Sequence, residues 1–296
     1  MKMKLAMLFA AAFAALSLGA AEAAAPAAET KADAKAEAKA PAKKAAAKKP
    51  AAKKPAAKMP ADGGLKNSTT ATPRQDPTKV SGWTKRYAAK AKQLAADKNE
   101  VDIVFIGDSI THFWEYDSKT QKRKIGGLDT YKKYFSNYKV LNLGYSGDRT
   151  QHALWIASQS PCLNNIKPKM VSVMIGTNNI GHKTAGPAAT AAGIKLVVES
   201  LRKKLPETRI LLFGVFPRGA KPDNPFRKQI SEINSTICQL ADAKNVFYCD
   251  ITLKLLEKDG TLSKNIMPDY LHPGEAGYEI WAQAIMPYVQ KFVDKK

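Results

Sequence analysis

The sequence predicts an α/β domain of three layers, in which a parallel five-stranded sheet lies between two layers of helices. Strand-like apolar runs alternate with helix-like segments five times beyond about residue 80. These runs lack the polar-apolar alternation of half-exposed strands, so both faces of the sheet are expected to be covered. Right-handed crossovers then bring the loops after the strands to one edge, where ligands bind in open α/β sheets.

The first strand lies in the segment 101–115, VDIVFIGDSITHFWE. Five of its first six residues are apolar, which is typical of a buried strand. Gly107 permits a sharp turn after it, so that Ser109 begins a helix at the carboxyl end of the strand. A hydroxyl group there is a nucleophile if a base reaches it. The alternative is that Asp108 and Ser109 only cap the helix.

The other elements follow from their apolar patterns. An amphipathic helix is predicted before the first strand, at residues 83–98. Further strands are predicted at residues 139–143, 169–175, 209–216 and 245–250. Helices are predicted at residues 131–135, 149–158, 188–205, 224–244 and 274–293. The loops after the first three strands read GDS, GYSGD and GTNN, and three such glycine-rich polar loops at one edge predict a ligand site.

Residues 1–23 have the layout of a secretory signal peptide, with lysines, then an apolar run, then small residues. A retained membrane anchor is the alternative, although the apolar run is shorter than a membrane span, which needs about 20 residues. The sequence therefore predicts a secreted or periplasmic protein.

Residues 24–79 are predicted to be a disordered linker rich in Ala, Lys and Pro, and residues 80–296 the folded domain. The linker is either a soluble spacer or a tether that contacts an anionic envelope surface. The chain carries a net charge of +21, of which residues 80–296 contribute +12. No zinc spacing or RNA-binding aromatic pattern accompanies this charge, so nucleic acid is not an expected partner.

The three cysteines, Cys162, Cys238 and Cys249, include no CxxC pair. An exported chain can form one disulfide, and Cys238 with Cys249 is then the expected pair; free thiols are the equal alternative. No cluster of histidines and carboxylates has metal-ligand spacing, so neither a metal nor another cofactor is expected.

A serine nucleophile needs a base and an acid that orients the base. His272 is the candidate base, because Asp269 precedes it by three residues, and at that spacing a carboxylate can meet the imidazole of the same segment. The other histidines lie in or just past the three loops. The alternative for Asp269 and His272 is a loop with two solvated polar residues.

An acyl-transfer reaction also needs preorganised donors for its oxyanion. The backbone N–H groups of Ser109 and Gly147 and the side-chain amide of Asn178 are available at the predicted edge. Gly147 allows a close approach of the backbone to a substrate. A turn residue is the alternative role of Asn178.

Four ordered blocks resemble those of the SGNH (GDSL-type) hydrolase family: GDS at 107–109, Gly-Asp at 147–148, GTNN at 176–179 and DxxH at 269–272. The segments NLGYSGDRTQHALW and VFPRGAKPDNPFRKQISEIN are more narrowly similar to the acetylhydrolases related to platelet-activating factor acetylhydrolase Ib catalytic subunits. The resemblance implies a flavodoxin-like fold with strand order 2-1-3-4-5. It also implies a homodimer.

The resemblance assigns roles to the residues that match the four blocks. Ser109 is the nucleophile, His272 is the base and Asp269 is its partner. The oxyanion hole is formed by the Ser109 and Gly147 amides with the Asn178 side chain.

Five further residues are expected to bind substrate. His112, Phe113, Trp114 and Tyr145 are expected to form an aromatic rim for a sugar ring, although core packing is the commoner place for aromatic residues. Asn179 follows the oxyanion asparagine, at a position where many members of the family carry aspartate.

These features predict a secreted serine esterase that hydrolyses small acyl esters, chiefly acetyl esters, of a carbohydrate or an envelope polymer. The narrow resemblance supports a second substrate class, acetyl- or lyso-phospholipids, although the chain has no apolar interfacial segment. A third alternative is a binding protein rather than an enzyme: a non-catalytic protein that holds an envelope polymer through its cationic linker.

Overall fold

The computed structural model of the protein describes residues 59–76 and 78–294. The expected signal peptide and residues 24–58 of the expected linker lie outside the described residues. The described helices are α1 (Leu65–Thr69), α2 (Gly82–Ala96), α3 (Ser109–His112), α4 (Leu128–Phe135), α5 (Thr150–Ser158), α6 (Thr177–Gly181), α7 (Pro187–Lys204), α8 (Pro225–Ile237), α9 (Thr252–Leu255) and α10 (Glu275–Phe292). The described strands are β1 (Ile103–Gly107), β2 (Val140–Gly144), β3 (Met170–Met174), β4 (Arg209–Phe213) and β5 (Val246–Cys249). Short 3₁₀ helices lie at Phe113–Glu115, Pro161–Leu163 and Cys238–Leu240.

The five strands form one parallel sheet in the order β2-β1-β3-β4-β5. This confirms the predicted fold class and strand order. The register sets Gly107 at the end of β1 opposite Gly144 of β2 and Met174 of β3. The three glycine-rich loops therefore leave the sheet side by side at its carboxyl edge.

An apolar core covers each face of the sheet, because neighbouring residues in a strand point to opposite faces. In β1, Val104 and Ile106 belong to the core that includes residues of α2, α5, α7 and α8. Ile103 and Phe105 belong to the other core, which includes residues of α4 and α10. All four side chains are at most 1% exposed, so β1 is buried on both faces as its unbroken apolar run predicts.

The structure corrects the predicted end of the linker at residue 79, because residues 59–76 pack on the domain. Helix α1 contacts α5 and α7. The Thr150 hydroxyl donates a hydrogen bond to the Ser68 carbonyl at 3.1 Å, and the Gly186 N–H donates to the Gly63 carbonyl at 2.9 Å. Hydrogen bonds to the domain hold this segment in place. Its composition shows only that the segment has no apolar core of its own, and so could not predict these contacts.

The three cysteines lie in the described part of the chain and are free thiols. Cys162 is buried, while Cys238 and Cys249 are partly buried. Of the two equal alternatives, the structure therefore agrees with free thiols and not with a disulfide between Cys238 and Cys249. Among the described helices, none combines the length and the apolar character needed to cross a membrane.

Candidate active site

Ser109 is the first residue of α3, directly after β1 and its turn. The Asp108 carboxylate caps this helix by accepting a hydrogen bond from the Ile110 N–H at 2.9 Å. Helix α3 crosses the end of β2 closely, since a Cβ atom at Gly144 would lie 2.5 Å from the backbone nitrogen of His112. Glycine at position 144 therefore lets the turn that carries Ser109 lie across the sheet edge.

Two buried side chains from distant elements fix α3 in place. The Asn142 side-chain amide donates a hydrogen bond to the Thr111 carbonyl at 3.0 Å. The Tyr278 hydroxyl, on α10, donates to the Ile110 carbonyl at 2.6 Å. The sequence does not predict that Asn142 or Tyr278 holds α3, because both residues are distant from α3 along the chain and contact it only in the folded structure.

Ser109, His272 and Asp269 form a continuous chain of hydrogen bonds. The Ser109 Oγ lies 2.9 Å from His272 Nε2. The His272 Nδ1 lies 2.8 Å from Asp269 Oδ2. Ser109 is 7% exposed and His272 is 8% exposed, so this contact is largely shielded from water. The arrangement lets Nδ1–H donate to the carboxylate while Nε2 is available to accept the serine proton.

The Asp269 carboxylate is held by a tight turn in which Tyr270 adopts a φ of 58°. Its Oδ1 accepts hydrogen bonds from the backbone N–H groups of His272 at 2.7 Å and Leu271 at 3.2 Å. Burial opposes ionisation of Asp269, but the hydrogen bonds from the His272 side chain and backbone prevail and hold the pKa of the carboxyl at about 2. Arg123 Nη1 also contacts Asp269 Oδ2 at 2.9 Å from the solvent side. Asp269 is therefore an anion under ordinary conditions.

Two other histidines lie near the sheet edge but have different partners; His152 is buried and His112 is partly buried. The His112 Nδ1 lies 3.0 Å from the Ser146 Oγ, and burial lowers the pKa of His112 to about 3. The His152 Nδ1 accepts a hydrogen bond from the Arg149 N–H at 3.0 Å, and burial likewise lowers its pKa to about 3. Both are neutral, weakly basic imidazoles at neutral pH, which makes either a poor general base.

The loops after β2 and β3 bring the expected oxyanion donors to the same edge. Gly147 has a φ of 79°, which favours glycine. The Asn178 side-chain amide donates a hydrogen bond to the Asp148 carbonyl at 2.9 Å, which fixes its orientation beside Gly147. Within residues 59–76 and 78–294, the backbone N–H groups of Ser109 and Gly147 donate to no protein acceptor. These groups are therefore available to an anionic oxygen.

Trp114 and Asn179 are buried in structural contacts, which corrects the expectation that they bind substrate. Trp114 is 0% exposed, because its ring packs in an apolar core. Tyr145 is 1% exposed and packs in the other core, but it also lines a cleft beside the site. Asn179 is 1% exposed, and its side chain forms hydrogen bonds that join α1 to α5. His112 is partly buried and borders a cleft beside the site.

Phe113 and Arg123 touch the triad; Phe113 was expected in the aromatic rim, whereas Arg123 was not expected at the site. The Phe113 ring lies 5.1 Å from the His272 ring, between centroids, and forms an apolar wall beside it. Phe113 lies in the turn that carries the serine, so its position near the site is the one signal available. Nothing local to Arg123 points to Asp269, which is 146 residues further along the chain.

The site therefore has a hydroxyl, a base within hydrogen-bond reach, an anion that orients the base, and free amide donors nearby. These are the parts that acyl transfer through a serine requires. In the described residues, no group of three or more His, Cys, Asp or Glu side chains is placed to hold a metal ion.

Comparisons with known proteins agree with this chemistry. Residues 105–280 match the model of the GDSL-like lipase/acylhydrolase family. Platelet-activating factor acetylhydrolase IB subunit alpha1 from Homo sapiens is 33% identical over 211 residues, which cover 70% of this chain and 82% of that protein. Subunit alpha2 from Rattus norvegicus is 33% identical over 186 residues, covering 62% of this chain and 74% of that protein. The crystal structure of a GDSL-like lipase from Bacteroides thetaiotaomicron shares the fold with a TM-score of 0.54 at 19% identity, covering 71% of this chain and 98% of that one.

Proposed function

Since the chain belongs to the GDSL-like lipase/acylhydrolase family and is an ester hydrolase, we propose that it removes small acyl groups, chiefly acetyl, from a carbohydrate or an envelope polymer. The observation that carries this proposal is the hydrogen-bonded chain from Ser109 through His272 to Asp269. The names of the curated relatives, which are acetylhydrolases, support a small acyl group.

In the proposed mechanism, His272 takes the proton of Ser109 as the hydroxyl oxygen attacks the ester carbonyl. The oxyanion of the tetrahedral intermediate accepts hydrogen bonds from the Ser109 and Gly147 amides and the Asn178 side chain. His272 then gives its proton to the leaving alcohol, and an acyl-enzyme remains. Water deprotonated by His272 releases the acid and restores Ser109. Asp269 stays ionised throughout and stabilises the imidazolium.

A second substrate class, acetyl- or lyso-phospholipids, is favoured by the names of the curated relatives. Large apolar side chains exposed in the described residues are Met59, Leu65, Val80 and Leu253. Single exposed apolar side chains are common on protein surfaces and do not by themselves indicate a surface that would dock on a lipid layer. The non-catalytic alternative is the weakest, because family membership assigns the chain to hydrolases.

The experiment is acetate release by the wild type, Ser109→Ala and Ser235→Ala. The last variant removes an exposed serine from α8 and is the matched control. The substrates are a chromogenic acetyl ester, acetylated xylan, an acetylated peptidoglycan fragment and an acetylated phospholipid. We expect hydrolysis that Ser109→Ala abolishes and Ser235→Ala retains, with a polymer as the best substrate. A phospholipid as the best substrate would favour the second class, and no hydrolysis by folded protein would overturn the proposal.

Export, dimerisation and a contact between the linker and an anionic envelope surface are also proposals. Export is supported by the pattern of residues 1–23 and the envelope contact by the lysines of residues 24–58. The mass of protein recovered from the periplasm or the medium checks export, because removal of the signal peptide shortens the chain by about 23 residues.

A further inference from the structure

A cleft of about 360 Å³ lies beside the candidate active site. His112 and Tyr116 line one side of it, next to the turn that carries Ser109. The Phe113 ring stacks on Tyr116 at 4.3 Å between centroids and also packs against His272. One wall of the cleft is therefore continuous with the apolar side of the candidate base. When an ester lies at Ser109, its alcohol part, the acyl acceptor, has this cleft next to it.

Arg74 lines the cleft where it meets the oxyanion loop. A Cβ atom at Gly147 would lie 2.6 Å from Arg74 Nη1 and 2.7 Å from Nη2, so the guanidinium lies directly against Gly147. The Arg74 side chain is 30% exposed. In the part of the chain that the structure describes, its N–H groups donate to no acceptor within hydrogen-bond distance. They are available to a ligand.

The carboxyl group nearest to Arg74 forms no hydrogen bond with it. Asp148 Oδ1 is 4.0 Å from Arg74 Nη1, which is too long for a hydrogen bond. Burial raises the pKa of Asp148 well above its usual range, which disfavours the charged form of this side chain and weakens its attraction to Arg74. The other arginine of the cleft, Arg86, is paired with Glu115 at 2.7 Å and hydrogen-bonded to the Gly144 carbonyl.

Other arginines lie near the loops that carry the oxyanion donors. Arg218 donates hydrogen bonds to the carbonyl and the hydroxyl of Thr177, next to the oxyanion asparagine, at 3.1 Å each. Burial and the charges of Arg149, Arg74 and Arg218 together lower the pKa of His182. The charges of these three arginines thus act on one region, where they repel one another and an anionic ligand would relieve that repulsion.

We propose that Arg74 is a specificity residue, and that it binds an oxyanion, a carboxylate or a phosphate, on the acceptor part of an ester seated in this cleft. The inference rests on the proposed function, since it names the class of substrate for the same site. A planar guanidinium binds both oxygens of such a group at once. The neutral His112 and the Tyr116 ring offer the rest of the acceptor a polar and aromatic wall.

The test uses three acetyl esters of matched shape: methyl 4-acetoxybenzoate, which is neutral, 4-acetoxybenzoate and 4-acetoxyphenyl phosphate. For each enzyme, kcat/KM on an anionic ester is divided by kcat/KM on the neutral ester, because this ratio cancels general damage to the site. The variants are Arg74→Gln and Arg74→Lys. Arg209→Gln is the control, since it removes the same charge at the amino-terminal end of β4, the opposite edge of the sheet.

We expect the ratio to fall by about fivefold to tenfold in Arg74→Gln, chiefly through KM, as lost charge-assisted hydrogen bonds at a partly exposed site would give. Arg74→Lys retains part of the ratio, and Arg209→Gln retains the wild-type ratio. KM of the wild type for the anionic esters rises with added NaCl. The larger of the two ratios identifies the kind of acceptor. A larger ratio for the phosphate ester indicates a phosphate-bearing acceptor, and a larger ratio for the carboxylate ester indicates an acidic glycan.

An unchanged ratio in Arg74→Gln, with hydrolysis of the neutral ester still dependent on Ser109, overturns this inference and leaves the proposed function standing. No hydrolysis dependent on Ser109 with any of the three esters overturns the proposed function, and this inference with it. Thermal unfolding followed by circular dichroism checks the fold of Arg74→Gln. Should that variant be unfolded, an Arg74→Lys ratio equal to that of the wild type together with a KM insensitive to salt overturns the inference.

Discussion

Asp269 decides how well His272 can act as a base. Its carboxylate holds Nδ1 of the imidazole, and its pKa of about 2 keeps it ionised while the ring becomes charged. Because this pKa lies below the value of 3.8 for an unperturbed carboxyl, the stability that Asp269 gives to the fold is present above about pH 4. It is lost as the pH falls through about 2, where the folded state takes up the proton.

The variant Asp269→Asn replaces the anion by a neutral amide of the same shape. We expect kcat to fall by about 10² to 10⁴, because the amide neither stabilises the imidazolium nor fixes the tautomer. Initial rates on a chromogenic acetyl ester measure this, with the exposed Asp223→Asn as a control that keeps full activity. More than a tenth of the wild-type rate in Asp269→Asn would contradict the role assigned to this carboxylate.

The titration of Asp108 changes the stability of the fold in the direction opposite to that of Asp269, since burial raises the pKa of Asp108 from 3.8 to about 6. Its Oδ2 has no hydrogen-bond partner in the described residues. The folded state holds this proton more tightly than the unfolded chain, so the contribution of Asp108 to stability declines as the pH rises from about 4 to 6.

Asp108→Asn removes this titration while its carbonyl oxygen can still cap α3. We expect the melting temperature of the variant, relative to the wild type, to rise between pH 4 and pH 7. Differential scanning calorimetry over that range measures the effect, again with Asp223→Asn as the control. Parallel pH curves for Asp108→Asn and the wild type would show that this carboxyl does not titrate as its burial requires.

Helix α1 depends on a buried hydrogen-bond network rather than on apolar packing of its own. Asn179 Oδ1 accepts a hydrogen bond from the Thr150 N–H at 3.0 Å. Its Nδ2 donates to the Thr150 hydroxyl at 2.8 Å and to the Ser68 hydroxyl at 3.2 Å. One side chain thus joins α6, directly after β3, to α5 and to α1.

Asn179→Ala leaves these buried groups without partners. The free energy of unfolding is expected to fall by about 1–3 kcal/mol, which is the range for buried polar groups left unpaired. Urea unfolding followed by circular dichroism measures it, and Asn164→Ala, at an exposed position, is the matched control. A loss no larger than that of the control would mean that other contacts hold α1.

The fold of the whole molecule was predictable because its signals are local. Each strand is a mainly apolar run, and Asp269 and His272 lie within one turn, so both can be recognised from the local sequence. Contacts between distant segments carry no such signal. The burial of Trp114 depends on α10, and the ordered segment 59–76 depends on residues more than 80 positions away, such as Thr150 for Ser68. Exposure of aromatic residues and the start of the domain were therefore the expectations that failed.

The central claim, that Ser109 is a nucleophile activated by His272, is tested most directly by covalent labelling with a fluorophosphonate. Mass spectrometry of the intact protein and of its peptides then gives the stoichiometry and the position of the label. We predict one equivalent on Ser109 in the wild type, none in Ser109→Ala, and labelling slowed by about 10² or more in His272→Ala. Labelling of Ser109→Ala at the wild-type rate, or a label on any other residue, would contradict the account.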